Sequence, residues 1–128
     1  MSRRHTLGDL QLAIMRVLWR QDEATAAEVH LALLESRGLA PTTIATMLQK
    51  MERKGVVEHR TEGRRFIYRP TITEAQVRRG MVEELTERLF AGDSSALVAH
   101  LLEEHRTTAA ELEAIKSRIA AHESSEED

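Results

Sequence analysis

Pro41-Thr42-Thr43-Ile44-Ala45-Thr46-Met47-Leu48-Gln49-Lys50-Met51-Glu52-Arg53-Lys54-Gly55 is the stretch on which the fold turns. Pro41 suits the first turn of a helix, where its missing N–H would be unpaired anyway. Ile44, Leu48 and Met51 recur at helical spacing as an inward stripe, and Lys54-Gly55 closes the element with a cation in the last turn and a glycine beyond it. The spacing predicts a helix from Pro41 to Lys54. Thr42, Thr43, Thr46, Gln49, Lys50 and Arg53 are left largely off the buried side. Directly afterwards the period changes. Val56-Val57-Glu58-His59-Arg60 and Arg65-Phe66-Ile67-Tyr68-Arg69 read as strands on either side of Thr61-Glu62-Gly63-Arg64, with Gly63 at a turn position, and Pro70-Thr71 ends the hairpin.

Two helices precede this pair. Leu7, Leu10, Ile14, Val17 and Leu18 form one helical stripe, predicting a helix from Leu7 to Trp19 with Thr6 as its cap and Asp9 answering from the third position. Met15 and Trp19 are read as core residues. After a polar connection at residues 21–24, Thr25-Ala26-Ala27-Glu28 is a capping box, followed by the stripe Ala26, Val29, Leu33 and Leu34 and by Arg37-Gly38 as a stop. Three short helices and a basic two-stranded ribbon, in that order, make a winged helix-turn-helix.

Downstream, Thr73-Glu74-Ala75-Gln76 is another capping box. It opens a helix with Val77, Met81, Leu85 and Leu89 four residues apart. Gly92-Asp93-Ser94-Ser95 interrupts it. A helix from Ala96 to His105 presents Leu97, Leu101 and Leu102, and Thr108 starts a last one carrying Leu112, Ile115 and Ile119. These stripes are too narrow for a second core and too regular for a tail, so burial against a second copy in a twofold dimer is expected. The fold class is mainly α with a small antiparallel β wing: a winged-helix domain (1–71), a helical dimerisation region (72–122) and an acidic tail (123–128) expected to be disordered. A hinge is expected near residues 70–73.

The whole chain is consistent with this. Its 128 residues, 41% hydrophobic, suffice for one small domain and an extension. No apolar run approaches a membrane span and no signal-peptide core is visible, so a cytoplasmic protein without direct membrane insertion is expected. The absence of cysteine excludes disulfides and thiolate metal sites. Residues 1–69 hold 12 Lys and Arg against 8 Asp and Glu, whereas residues 70–128 hold 6 against 13, so a polyanion is drawn to the first part alone. No HExxH or GxxxxGK[ST] occurs and no triad framework is visible, which argues against an enzyme. The six histidines are read as ordinary surface or interface residues; no metal and no cofactor is expected.

On duplex DNA, the first turn of the third helix suits a phosphate. Thr43 and Thr46 can set a methyl against thymine or a hydroxyl near a base edge, and Gln49 or Lys50 reaches further along the groove. Arg60, Arg64 and Arg65 on the wing suit phosphates, and Arg3 and Arg4 can track a backbone or enter a minor groove. Two other readings stay open: a winged-helix module for protein interaction, and a repressor controlled by a non-thiolate metal site.

Leu7-Gly8-Asp9-Leu10-Gln11, Ile14 to Trp19, Thr25 to Val29, Pro41 to Met51, Lys54 to Val57 and Arg64 to Pro70 together resemble the penicillinase and methicillin-resistance repressor family, BlaI/MecI, up to about Ile119. The resemblance implies a homodimer on a palindromic double-stranded operator that represses transcription, with antibiotic resistance as a setting. It places Thr42, Thr43, Thr46 and Lys50 at recognition positions and Arg64 and Arg65 on the wing. The implied dimer face is Val77, Met81, Leu85, Leu89, Leu97, Leu101, Leu102, Leu112 and Ile115. In relatives of this kind a membrane sensor-protease pathway leads to cleavage within the dimerisation region. Here His100-Leu101 stands where those relatives carry asparagine followed by phenylalanine. A related branch with a cysteine-rich copper motif finds no counterpart in this chain.

Overall fold

The computed structural model describes residues 6–104 and 106–127. In chain order the elements are α1 (Asp9–Gln21), β1 (Ala24–Thr25), α2 (Ala26–Arg37), α3 (Pro41–Lys54), β2 (Val57–Glu62), β3 (Arg65–Pro70), α4 (Glu74–Phe90), α5 (Ser94–Glu104) and α6 (Ala109–Glu127). The three strands form an antiparallel sheet ordered β1-β3-β2. The chain divides into two compact units between Glu84 and Leu85, beyond the boundary at residue 71 expected from sequence, because the first turns of α4 contribute to the core of the first unit.

That core joins Ile14, Met15 and Leu18 of α1, Val29 of α2, Ile44, Leu48 and Met51 of α3, Val57 and Tyr68 of the sheet, and Val77 of α4, all buried. Every amphipathic element here hides one stripe, and the burial of these large apolar groups is the main favourable term holding the unit together. The helix ends follow local chemistry. The Thr25 hydroxyl accepts from the Glu28 N–H (3.2 Å) while the Glu28 carboxylate accepts from the Thr25 N–H (2.9 Å). Thr73 and Gln76 repeat the exchange at the start of α4. Gly38 and Gly55, both at positive φ, end α2 and α3.

Several expectations are corrected. Helix α1 starts at Asp9, not Leu7. Its cap position is Gly8, whose N–H donates to Gln11 Oε1 (3.2 Å), and Thr6 instead donates its hydroxyl to Glu84 Oε2 (2.6 Å). The ribbon is three-stranded, because Ala24 and Thr25, expected within or beside a plain connection, pair with Tyr68 and Ile67. Leu34 is exposed: the buried residues of α2 are Val29 and Leu33, with Ala26 packed partly against the core. Helix α5 begins at Ser94, two residues early, because Asp93 caps it: Ser95 Oγ (2.8 Å) and the Ala96 N–H (3.1 Å) both donate to its carboxylate. Those two bonds hold the Asp93 carboxyl below its usual range. Residues 123–127, expected as a disordered tail, continue α6, where His122 and Glu126 pair one turn apart (3.1 Å).

Within the second unit, α5 buries no residue and α6 is exposed along its described length. Leu101, Leu102, Leu112, Ile115 and Ile119 therefore present apolar surface to solvent in the single chain.

Candidate nucleic-acid interface

The face of α3 opposite the core is built from its helical period. With successive residues about 100° apart, Thr42, Thr43, Thr46, Gln49, Lys50 and Arg53 fall within an arc of about 120° centred near Thr46, while Ile44, Leu48 and Met51 lie on the far side. The structure agrees: all six are exposed and the three apolar residues are buried. None of the six side chains makes a hydrogen bond or ion pair among the described residues, although all carry donors. Six such donors side by side make this row unspent capacity concentrated on one helix.

Helix α3 is held firmly in this attitude. His30 Nε2 lies 2.9 Å from the Leu39 carbonyl oxygen and braces the turn that leads into it. At its other end Lys54 Nζ donates to Gln11 Oε1 (3.3 Å) and to the Thr6 carbonyl, and Gln11 Nε2 donates to Met47 Sδ (3.5 Å). The first turn has no side-chain cap at Ala40. Its backbone donors and the positive end of the helix dipole are the features that suit a phosphate.

The wing is attached to the same helix. His59 Nδ1 sits 2.7 Å from both carboxylate oxygens of Glu52 on α3, and its ring stacks on Phe66 with centroids 4.2 Å apart. Sequence reading took His59 for an ordinary surface residue. Its partner is near in sequence but on another element, and nothing in the pattern marked it. Gly63 at φ 65° and Arg64 link β2 to β3 in a two-residue turn.

The three wing arginines differ in their engagement. Arg64 is exposed at the turn and forms no ion pair among the described residues. Arg65 lies 3.6 Å from Glu62. Arg60 is gripped by Glu23, which sequence reading did not single out, and also reaches Glu62 (3.3 Å). Arg3 and Arg4 lie outside the described residues, as does His105.

Of the apolar residues expected to join two copies, Val77 is corrected. It is 2% exposed and belongs to the core of the first unit, so it is not available to a partner. Met81 is partly buried against that core, whereas Leu85 (41%) and Leu89 (71%) are exposed farther along α4. Leu97 is half-buried; Leu101, Leu102, Leu112 and Ile115 are exposed. His100 lies in the middle of α5 with its ring 5.9 Å from that of Phe90, and Leu101 follows it in the same helical turn. Among the described residues no three His, Cys, Asp or Glu side chains are grouped to hold a metal ion, and no helix is long and apolar enough to cross a membrane.

The sequence profile of the penicillinase repressor family matches residues 7–121. The chain belongs to the penicillinase repressor family. It is 28% identical over 116 residues to the penicillinase repressor of Bacillus licheniformis, spanning 91% of each chain. It is 34% identical over 122 residues to the transcriptional regulator BlaI of Mycobacterium tuberculosis, spanning 94% of this chain and 87% of that protein. Among solved structures, the DNA-binding domain of the repressor BlaI superposes with a TM-score of 0.52 at 34% identity, covering 59% of this chain and 93% of that one. The monomeric form of Bacillus licheniformis BlaI in complex with the blaP half-operator gives 0.51, also at 34% identity and with the same coverage. Members of the family are transcriptional repressors rather than enzymes, and the winged-helix architecture of the present chain is theirs.

Proposed function

We propose that this chain represses transcription by binding, as a homodimer, a twofold-symmetric operator in duplex DNA. The unspent donor row on α3, diametrically opposite its buried stripe, carries the reading: it is a helix suited to a groove, with nothing among the described residues competing for its side chains. In this mechanism the first turn of α3 and Lys50 engage phosphates, Thr43, Thr46 and Gln49 face base edges, and Arg64 and Arg65 follow the backbone beside the groove. Arg3 and Arg4 extend the basic surface.

The exposed apolar stripe of α4 beyond Met81, with those of α5 and α6, joins the two copies. Two heads tied together on half-sites about one helical turn apart bind far more tightly than either alone. Occupied promoter DNA then hinders RNA polymerase. The names of the relatives, a penicillinase repressor and methicillin resistance regulatory proteins, support β-lactam resistance genes as targets. Cleavage of α5 at His100-Leu101 through a membrane sensor-protease pathway would release the operator by separating the heads. In this reading the protein works in the cytoplasm, where promoter DNA is, and requires no cofactor.

A binding titration across a salt series tests the reading. On an inverted-repeat duplex recovered by the protein from its genome, log affinity should fall linearly with log salt. Lys50→Ala should weaken binding about three- to tenfold on every duplex and reduce that slope by about one, the signature of one lost phosphate contact. An affinity insensitive to salt would instead favour a winged helix that captures another protein.

A further inference from the structure

The wing of a DNA-binding winged helix is expected to spend its arginines on phosphates, yet here most of that charge is cancelled within the chain. Arg60, Glu62 and Arg65 share one face of the hairpin, turned away from His59, Phe66 and Tyr68. On that face Arg69 pairs with Glu58, Arg65 with Glu62, and Arg60 with Glu62 and Glu23. The Arg60 contact is bidentate on both oxygens of its partner. Its Nη1 donates to Glu23 Oε2 and its Nη2 to Glu23 Oε1 (3.0 Å), so both arms of the guanidinium fork close on one carboxylate.

From this geometry we infer that Glu23 is a built-in competitor for DNA phosphate: it occupies the fork of Arg60 and thereby limits the affinity of the wing for duplex DNA. The inference rests on the DNA-binding reading above. A carboxylate and a phosphate present the same bidentate edge to a guanidinium, so either can fill the fork, but not both at once. Both side chains are about half exposed, Arg60 at 51% and Glu23 at 43%, so an incoming phosphate can reach the pair without moving the core. The pair is not needed to hold the hairpin, whose strands are pinned by the β2–β3 ladder from the pair Val57–Pro70 to the pair Glu62–Arg65, and solvent-exposed ion pairs add little to stability. The hydrogen bond from Arg60 holds the Glu23 carboxyl below its usual range, so Glu23 stays charged and competing across the neutral range.

In the sequence nothing marks Glu23, which is 37 residues from Arg60 and sits in what looks like a plain polar connection. The short β1, which follows it directly, brings it alongside β3 and so within reach of β2.

The test uses the full-length chain with Glu23→Gln, Arg60→Gln and the double variant, titrated against an inverted-repeat duplex selected from the genome and against a mixed-sequence duplex. Glu23→Gln should bind both duplexes about three- to tenfold more tightly at low salt, and its log-log salt slope should steepen by about one as Arg60 takes up a phosphate. In the Arg60→Gln background the same change should gain less than about twofold, because no fork is left to release. Unchanged or weaker binding by Glu23→Gln would overturn the inference and make the pair a brace for the wing. A gain that persists without Arg60 would also overturn it, leaving only the removal of a nearby negative charge. Because a phosphate contact is independent of sequence, the gain on the mixed duplex stands even if no inverted repeat is selected, which separates failure of this inference from failure of the operator reading.

Discussion

Thr46→Glu should reduce operator affinity by at least about 100-fold while leaving the fold intact. Thr46 sits at the centre of the exposed arc of α3, with no side-chain partner to lose among the described residues, and glutamate has a somewhat better helix propensity than threonine. The core side of the helix is untouched. On DNA the substitution removes a contact worth about 1–3 kcal/mol and sets a negative charge inside a groove walled by phosphates, a like-charge juxtaposition that costs several kcal/mol. Since about 1.4 kcal/mol corresponds to tenfold, the two effects together exceed two orders of magnitude. Fluorescence anisotropy with labelled operator measures the loss, and a circular dichroism melt shows that the protein remains folded. Unchanged binding by a folded Thr46→Glu protein would move the reading surface off α3.

The second large effect concerns the other end of the molecule. Leu101→Glu combined with Leu102→Glu should convert the protein to a monomer and lower its affinity for the full inverted repeat by about 10²- to 10⁴-fold, the advantage that tethering two heads confers. Its affinity for an isolated half-site should change little. Both leucines are exposed on α5 and neither belongs to the buried core, so the substitutions leave the core of the first unit alone. Placing two carboxylates in an apolar contact between copies is, by contrast, strongly unfavourable. Sedimentation velocity reads the oligomeric state and parallel titrations read the two affinities. A variant that stays dimeric would place the contact between copies elsewhere than the α5 stripe.

The elements that were legible in the sequence are those whose ends carry their own chemistry. Helix α3 runs from Pro41 to Lys54 as read, because a proline in the first turn and a glycine at φ 88° just past the end leave little freedom for other boundaries. The boxes at Thr25 and Thr73 mark α2 and α4 for the same reason. The features that escaped are set by partners on other elements. Strand β1 is two residues long and exists only because β3 lies beside it. The grip of Glu23 on Arg60 and the contact of His59 with Glu52 join separate elements, and no local period announces them. Val77 shows a different limit. The stripe from Val77 to Leu89 has a constant four-residue spacing, but the structure divides it, giving Val77 to the core and leaving Leu89 exposed. Periodicity identifies a buried-type face without saying what covers each part of it.

For the candidate interface, the exposed row of α3 followed from elimination, since the residues that are not core must lie elsewhere on the helix. The wing was harder to read. Counting arginines gave its charge but not its neutralisation, which depends on register: Glu62 stands opposite Arg65 and Glu58 opposite Arg69 across the ladder.

The central claim, that this chain is a sequence-specific repressor whose reading surface is α3, is tested most directly by selecting genomic duplex fragments with the purified full-length protein at near-physiological salt and sequencing what is retained. The account predicts enrichment of an inverted repeat in promoter regions, with half-sites about one helical turn apart. Its occurrence beside a β-lactamase or sensor-protease gene would also fix the physiology, while its occurrence beside other genes would keep the mechanism and move the target. Retention of fragments with no shared sequence, at the level of competitor DNA, would contradict the claim.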